Sequence, residues 1–267
     1  MLLVHCTQRL RPLRFTLIAL LLTTGLLISP PAQAAPPTLT AINAGGSHTC
    51  ARTSVGGVTC WGANTYGQLG NGTTVSHAMP FDVSGLTSGV TMIATGDNHT
   101  CARTNAGGVK CWGSNTFGQF GDGTTTNRVV AVDVTGLASG VMSIGAGSFF
   151  TCALINTGGV KCWGANVYGQ LGDGTTTDRV SPVASNGISN SASRMSAGGY
   201  HACISTITGS VKCWGNNSHG QLGDGTTTNR SSAVIVSNMR IIGGGGIVAG
   251  RFHTCANVVG GIKSLSG

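Results

Sequence analysis

Glutamate is absent from this sequence: all seven acidic residues among its 267 are aspartates. That removes the usual carboxylate of general acid–base catalysis and the helix-borne zinc-protease motif, which needs a glutamate. No Gly-x-Ser-x-Gly elbow is present either, and the aspartates recur at turn positions. No catalytic set emerges, so the chain is expected to be neither an enzyme nor a cofactor carrier. Charge is scarce as well, at 8% of residues. The formal net charge of +8 comes without any lysine- or arginine-rich run, which argues against a nucleic-acid partner. Beyond residue 35 no amphipathic helical pattern can be found. What fills the chain instead is Gly, Thr, Ser, Asn and Val, the vocabulary of strands and tight turns.

Long apolar runs are also lacking, with one exception. Arg9, Arg11 and Arg14 precede "FTLIALLLTTGLLI" (Phe15 to Ile28), followed by "SPPAQAAPP" with a small-x-small site at Ala32-Gln33-Ala34. A basic start, a short apolar core and that site predict a secretory signal peptide over residues 1–34. The run is too short to span a bilayer, and none like it follows, so no membrane span is expected after cleavage. Cys6 lies before the apolar core. Residues 35–40 read as a linker, and a secreted or cell-surface location follows.

The remainder repeats itself. Cys50, Cys101, Cys152, Cys203 and Cys255 are spaced by 51, 51, 51 and 52 residues, each inside a near-identical phrase. A period near 50 is the signature of a propeller or solenoid, whose units bury their faces only against neighbours. Four complete units run near 41–90, 91–141, 142–192 and 193–245, with a partial unit at 246–267. Each reads as about four short strands, with Asn71-Gly72, Asp122-Gly123, Asp173-Gly174 and Asp224-Gly225 as tight turns.

Each complete unit holds a C-x9-C pair: Cys50 with Cys60, Cys101 with Cys111, Cys152 with Cys162, and Cys203 with Cys213. A hairpin that sets these residues opposite one another leaves a three-residue loop such as Ser54-Val55-Gly56. Such loops want a left-handed residue last, and Gly56, Gly107, Gly158 and Gly209 supply it every time. Spacing and turn chemistry thus predict four disulfides inside hairpins, with Cα atoms about 4.5 Å apart. Each staple is worth about 2–3 kcal/mol in the chain-entropy view. Zinc ligands are not spaced this way, so no metal is expected. Trp61, Trp112, Trp163 and Trp214 follow the second cysteine, point to the other strand face and are expected in the core between units.

The phrases "WGANTYGQLGNG", "WGSNTFGQFGDG", "WGANVYGQLGDG" and "WGNNSHGQLGDG" resemble the repeats of the RCC1 (regulator of chromosome condensation) family. The resemblance covers residues 41 to about 245 and implies an all-β propeller, usually of seven blades. Four and a half units fall short of seven. The chain is therefore expected to be a piece of a longer protein, with a smaller ring or a ring made by two chains as alternatives. The fifth unit, "CANVVGGIKSLSG", has Ser264 or Leu265 where the second cysteine belongs, leaving Cys255 unpaired and open to linking a dimer.

His48, His99, His201 and His253 share one position, with Phe150 in the third unit. A histidine bonded to backbone inside each blade is the expected role, since successive blades stand too far apart to share an ion. Arg128, Arg179 and Arg230, with His77 in the first unit, are expected on one rim, a possible face for an acidic partner. Three functions compete. The first is a secreted protein-interaction module, for which the resemblance offers inhibition of a secreted enzyme as one version. The second is a carbohydrate-binding or adhesive propeller, and the third is nucleotide exchange as in the family's namesake.

Overall fold

The computed structural model describes residues 38–241, 246–258 and 261–264. The expected signal peptide and most of the expected linker lie outside them. The described residues are all-β and form five antiparallel sheets, each a meander in chain order. Blade 1 is β1 (Leu39–Ala44), β2 (His48–Thr53), β3 (Val58–Gly62) and β4 (His77–Asp82). Blade 2 is β5 (Val90–Thr95), β6 (His99–Thr104), β7 (Val109–Gly113) and β8 (Arg128–Asp133). Blade 3 is β9 (Val141–Ala146), β10 (Phe150–Ile155), β11 (Val160–Gly164) and β12 (Arg179–Ala184). Blade 4 is β13 (Ala192–Ala197), β14 (His201–Thr206), β15 (Ser210–Gly215) and β16 (Arg230–Arg240). Blade 5 has three strands, β17 (Ile247–Ala249), β18 (Thr254–Val258) and β19 (Gly261–Ser264). This is a propeller arrangement of five blades. Among the described residues four blades have four strands and the fifth has three, which matches the four complete units and the partial one, and the blade count is five where the family's usual ring has seven.

The hairpins explain the cysteines. Thr53 N donates to Gly57 O, closing the three-residue loop, and Gly56 takes a φ of +79° that other residues adopt only under strain. Cys50 then faces Cys60, with Cα atoms 4.1 Å apart and the sulfurs bonded. Blades 2, 3 and 4 repeat this with the same 4.1 Å separation. The fifth hairpin differs. Val258 pairs with Gly261, a two-residue loop, so Cys255 faces Ser264 and remains a free thiol.

The apolar cores lie between blades rather than within them. Val83, Leu86 and Leu69 of blade 1 pack with Ile93 and Trp112 of blade 2, and the next junctions repeat the scheme with Trp163 and Trp214. Each indole is fully buried and donates to the backbone of the preceding blade. Trp112, Trp163 and Trp214 Nε1 bond Gln68, Gln119 and Gln170 O at 2.9, 2.8 and 2.9 Å. Each ring lies against a glycine of that blade: a Cβ on Gly70 would stand 2.7 Å from Trp112 Nε1. Trp61 occupies the same position in blade 1, but among the described residues no blade precedes it, and it is half-buried.

Candidate interaction face

The repeated polar residues are consumed by the fold. Asn64 is fully buried; its Oδ1 accepts from Leu69 N, and its Nδ2 donates to Thr73 O and Val75 O at 3.0 and 2.9 Å. Gln68 Oε1 accepts from Tyr66 N at 2.9 Å. Asn115, Asn166 and Asn217 repeat the first arrangement, and Gln119, Gln170 and Gln221 the second. These side chains supply the hydrogen bonds of a loop with no strand partner, a role that buried polar groups require. The W-G-x-N-x-x-G-Q core is structural throughout.

The histidines are inter-blade latches, which corrects the expectation that each bonds backbone within its own blade. His48 Nε2 lies 2.8 Å from Thr100 Oγ1 of the next blade. His99 pairs with Thr151 at 3.0 Å, and His201 with Thr254 at 2.8 Å. Each threonine in turn donates to a preceding-blade carbonyl: Thr100 to Gln68 O, Thr151 to Gln119 O, Thr254 to Gln221 O. A hydroxyl that donates there must accept from the histidine, so the neutral Nε2–H tautomer is required. Burial lowers the pKa of His48 to about 4 and of His201 to about 4. His99 falls to about 3, by burial and then by the charge of His48. His253 has no following blade among the described residues and is exposed.

Two of the arginines expected on one rim are ion-paired within their own blades. Arg179 pairs with Asp173 at 2.8 Å and Arg230 with Asp224 at 2.7 Å, each joining its own blade's tight turn to its outer strand. Their charge is answered locally. Arg128 makes no such pair with Asp122 among the described residues, and its Nε is buried without a partner.

Positions that vary between blades collect on one face. The turn after each inner strand and the loop after each third strand meet at the same end, tied by bonds such as Ala63 N to Ser47 O and Ala165 N to Phe149 O, both 2.9 Å. The loop of one blade then reaches the turn of the next. Phe117 meets Phe149 with ring centroids 5.4 Å apart, Tyr168 meets Tyr200 at 5.5 Å, and His219 meets Phe252 at 5.4 Å. Phe149 and Tyr200, at 6.2 Å, link the first two pairs. Three successive junctions thus carry an aromatic pair, and Phe117 and Phe252 are 39% and 44% exposed.

Inside this arc opens a central cavity of about 680 Å³, walled by the five inner strands and their turns. One position there reads Gly46, Asp97, Ser148, Gly199 and Arg251 around the cavity. Arg251 reaches Asp97 of blade 2 at 3.6 Å and also stands 5.6 Å over the Phe252 ring. Ser148 Oγ is buried and has no hydrogen-bond partner. Sequence reasoning missed this face. Its signal is the residue before each histidine or Phe150: Ser47, Asn98, Phe149, Tyr200 and Phe252.

Such a structure is a tandem-repeat β-propeller whose blades are locked by an indole, a histidine and a buried glutamine loop. The regulator of chromosome condensation (RCC1) repeat profile matches residues 56–103, 106–154 and 157–205, and a second profile of that repeat matches 39–68, 90–119, 141–170 and 193–221. The chain belongs to the RCC1 repeat family. It is 35% identical over 198 residues to the ultraviolet-B receptor UVR8 of Arabidopsis thaliana, covering 73% of this chain and 45% of the receptor. It is 34% identical over 203 residues to the human E3 ubiquitin-protein ligase HERC2, covering 74% of this chain and 4% of the ligase. Among solved structures, Saccharomyces cerevisiae Prp20p, described with its binding to Gsp1p and histones, superposes with a TM-score of 0.67 at 20% identity. That match covers 82% of this chain and 56% of Prp20p. The ectodomain of the Physcomitrella patens receptor kinase CR4 gives 0.56 at 24% identity, over 86% of this chain and 53% of that one. The chain spans less than half the length of these curated relatives.

Proposed function

We propose that the protein is exported and grips a protein partner with the aromatic arc around its central cavity, inhibition of a secreted enzyme being one version of that role. The arc is the observation that carries this reading. Repeated residues are used up in holding blades together, whereas Phe117, Phe149, Tyr168, Tyr200, His219 and Phe252 are paired across junctions and reach the surface. Aromatic rings and arginine concentrate where protein partners gain most of their binding energy. Asp97 and Arg251 offer one charge of each sign inside the ring of aromatics. The leader-like start and the stapled hairpins support export, and a relative of the same fold is a receptor ectodomain. Nucleotide exchange, the role in the namesake, is disfavoured for a chain outside the cytosol. A glycan remains the competing ligand.

The test is capture from the extracellular fraction of the producing cells, using wild-type protein and the triple variant F117A/F149A/Y200A as baits, with both also read on a glycan array. A protein retained by wild type and lost by the variant is the expected result. A glycan bound in the same arc-dependent way would replace the protein reading. Equal capture by both baits would remove the arc from the function.

A further inference from the structure

Charge is divided unevenly between the two ends of the propeller. At the arc end stand Asp97, Asp122, Asp173, Asp178 and Asp224 against Arg128, Arg179, Arg230 and Arg251, a net of one negative charge. The far end is made of the hairpins that join second to third strands and the turns that follow the fourth, and its acids are Asp82 and Asp133. Its bases recur by position. Lys110, Lys161, Lys212 and Lys263 each pair with the residue after the second-strand cysteine, on the hairpin side of it. Arg52 and Arg103 lie one step nearer the hairpin loop, and Arg194 and Arg240 flank the hairpin end of blade 4. Eight bases against two acids leave six positive charges net, so the positive excess of the described residues lies wholly at this end.

These charges are held in place without being cancelled. Among the described residues of this end, only Lys110 is ion-paired, to Asp133 at 2.7 Å. Arg103 donates to Thr91 Oγ1, Lys212 to Gly187 O and Arg240 to Thr208 O, all neutral acceptors. Two hairpin tips add bare apolar side chains: Val55 of the first loop is 61% exposed and Ile207 of the fourth 78%. Between them the tips are Ala106 and Thr157, so no contiguous apolar core of the kind a protein interface needs is present. A soluble polyanion would answer the charge and leave the tips in water. A fluid anionic bilayer receives spread charge and scattered tips alike.

We propose that the far end docks on an anionic phospholipid surface, with its lysines and arginines against the lipid phosphates and Val55 and Ile207 entering the headgroup layer. Docked this way, the propeller turns its aromatic arc away from the bilayer. The docking itself needs no partner on the arc.

The experiment is flotation of the full chain with vesicles of phosphatidylcholine containing about one-third phosphatidylglycerol, against phosphatidylcholine alone, at ionic strengths of about 0.1 and 1 M. It is run on wild type, Lys161→Gln/Lys212→Gln, Val55→Ser/Ile207→Ser and Thr125→Glu/Thr176→Glu, with folding checked by circular dichroism. The last variant lowers net charge by the same two units on exposed loops of the arc end. Wild type should float with the anionic vesicles at low salt only. Each basic residue near such a surface is worth about fivefold in affinity, so the lysine variant should bind about twentyfold more weakly. The tip variant should also bind more weakly, and the arc-end variant should match wild type. Absence of wild-type binding to the anionic vesicles at low salt overturns the proposal. Equal losses in the lysine and arc-end variants would do the same, by reducing the effect to net charge. Retention on immobilised heparin, undiminished in the tip variant and without vesicle binding, would put a soluble polyanion in place of the lipid.

Discussion

Two junctions in this molecule solve one problem with opposite chemistry. Between blades 2 and 3, the fully buried His99 bonds Thr151, and Thr151 passes its hydrogen on to Gln119 O. Between blades 3 and 4, Phe150 stands where the histidine belongs, and the residue opposite is Ala202, not threonine. Both partners have changed together. A lone Phe150 would have left a threonine short of its donor, and a lone Ala202 would have left a buried histidine N–H unanswered. Removing both ends of a buried hydrogen bond can be nearly neutral, whereas removing one costs the desolvation of the other. The pair shows that the histidines serve packing between blades and not a shared chemistry.

The difference should be largest in acid. The latched histidines titrate at about 4, 3 and 4 when folded, against 6.5 in the open chain. Above pH 7 both states are neutral and the shift contributes nothing. Between about 6.5 and 4 the unfolded state binds more protons, so stability falls as pH falls, with a ceiling of about 3 kcal/mol per histidine. Thermal unfolding followed from pH 7.5 to 4 should show this slope. The variant His99→Phe/Thr151→Ala, which copies the Phe150–Ala202 junction, should have a shallower one.

Next in size are the tryptophans. Trp112→Ala empties a fully enclosed seat and should cost about 3–5 kcal/mol, read as a shift in the urea midpoint. Trp61→Ala removes the same side chain from a half-open face and should cost roughly 1 kcal/mol or less. Equal costs would mean that blade 1 is covered after all.

The pair itself can be rebuilt one residue at a time. Thr151→Ala strands the His99 N–H and should cost about 1–3 kcal/mol. Adding His99→Phe should recover at least half of that loss at pH 7. If the double variant is worse than the single, Phe150 and Ala202 are not a compensated pair.

How far the sequence reaches depends on whether a residue meets its own blade or the next. The Cys50–Cys60 staple follows from one spacing and one glycine, because both strands belong to one hairpin. The indole position was equally legible, as alternation along β3 turns Trp61 away from Cys60. The histidine role was not. Its partner lies 52 residues away, and a Thr before Cys50, Cys101, Cys152 and Cys255 looks like ordinary strand composition. The clue was available in the joint change at Phe150 and Ala202, which becomes informative only once the blades are known to touch there. For the arginines, ring symmetry gave equivalent positions but not their partners: the Asp173 and Asp224 turns that pair with two of them are six residues away in the same blade.

Those ion pairs give the smallest contrast. Blades 3 and 4 join turn to outer strand through Asp173–Arg179 and Asp224–Arg230, while blade 1 has Asn71 and His77 at the same places. Burial alone would raise the Asp224 pKa. Bonds from Thr226 Oγ1, Arg230, Thr226 N and Asn217 outweigh it and hold the carboxyl below its usual 3.8. Its contribution is therefore present above pH 4 and lost only as pH falls through that lower value, outside the histidine window. Asn71→Asp/His77→Arg should install the pair in blade 1. Because Arg230 is about one-third exposed, the gain should be 1 kcal/mol or less, about what a screened pair supplies. The gain should shrink in 1 M salt, and Asp224→Asn should lose a similar amount from blade 4. A larger effect in blade 1 than in blade 4 would show that the outer strand there, exposed from Ala78 to Asp82, is held less by packing than its equivalents.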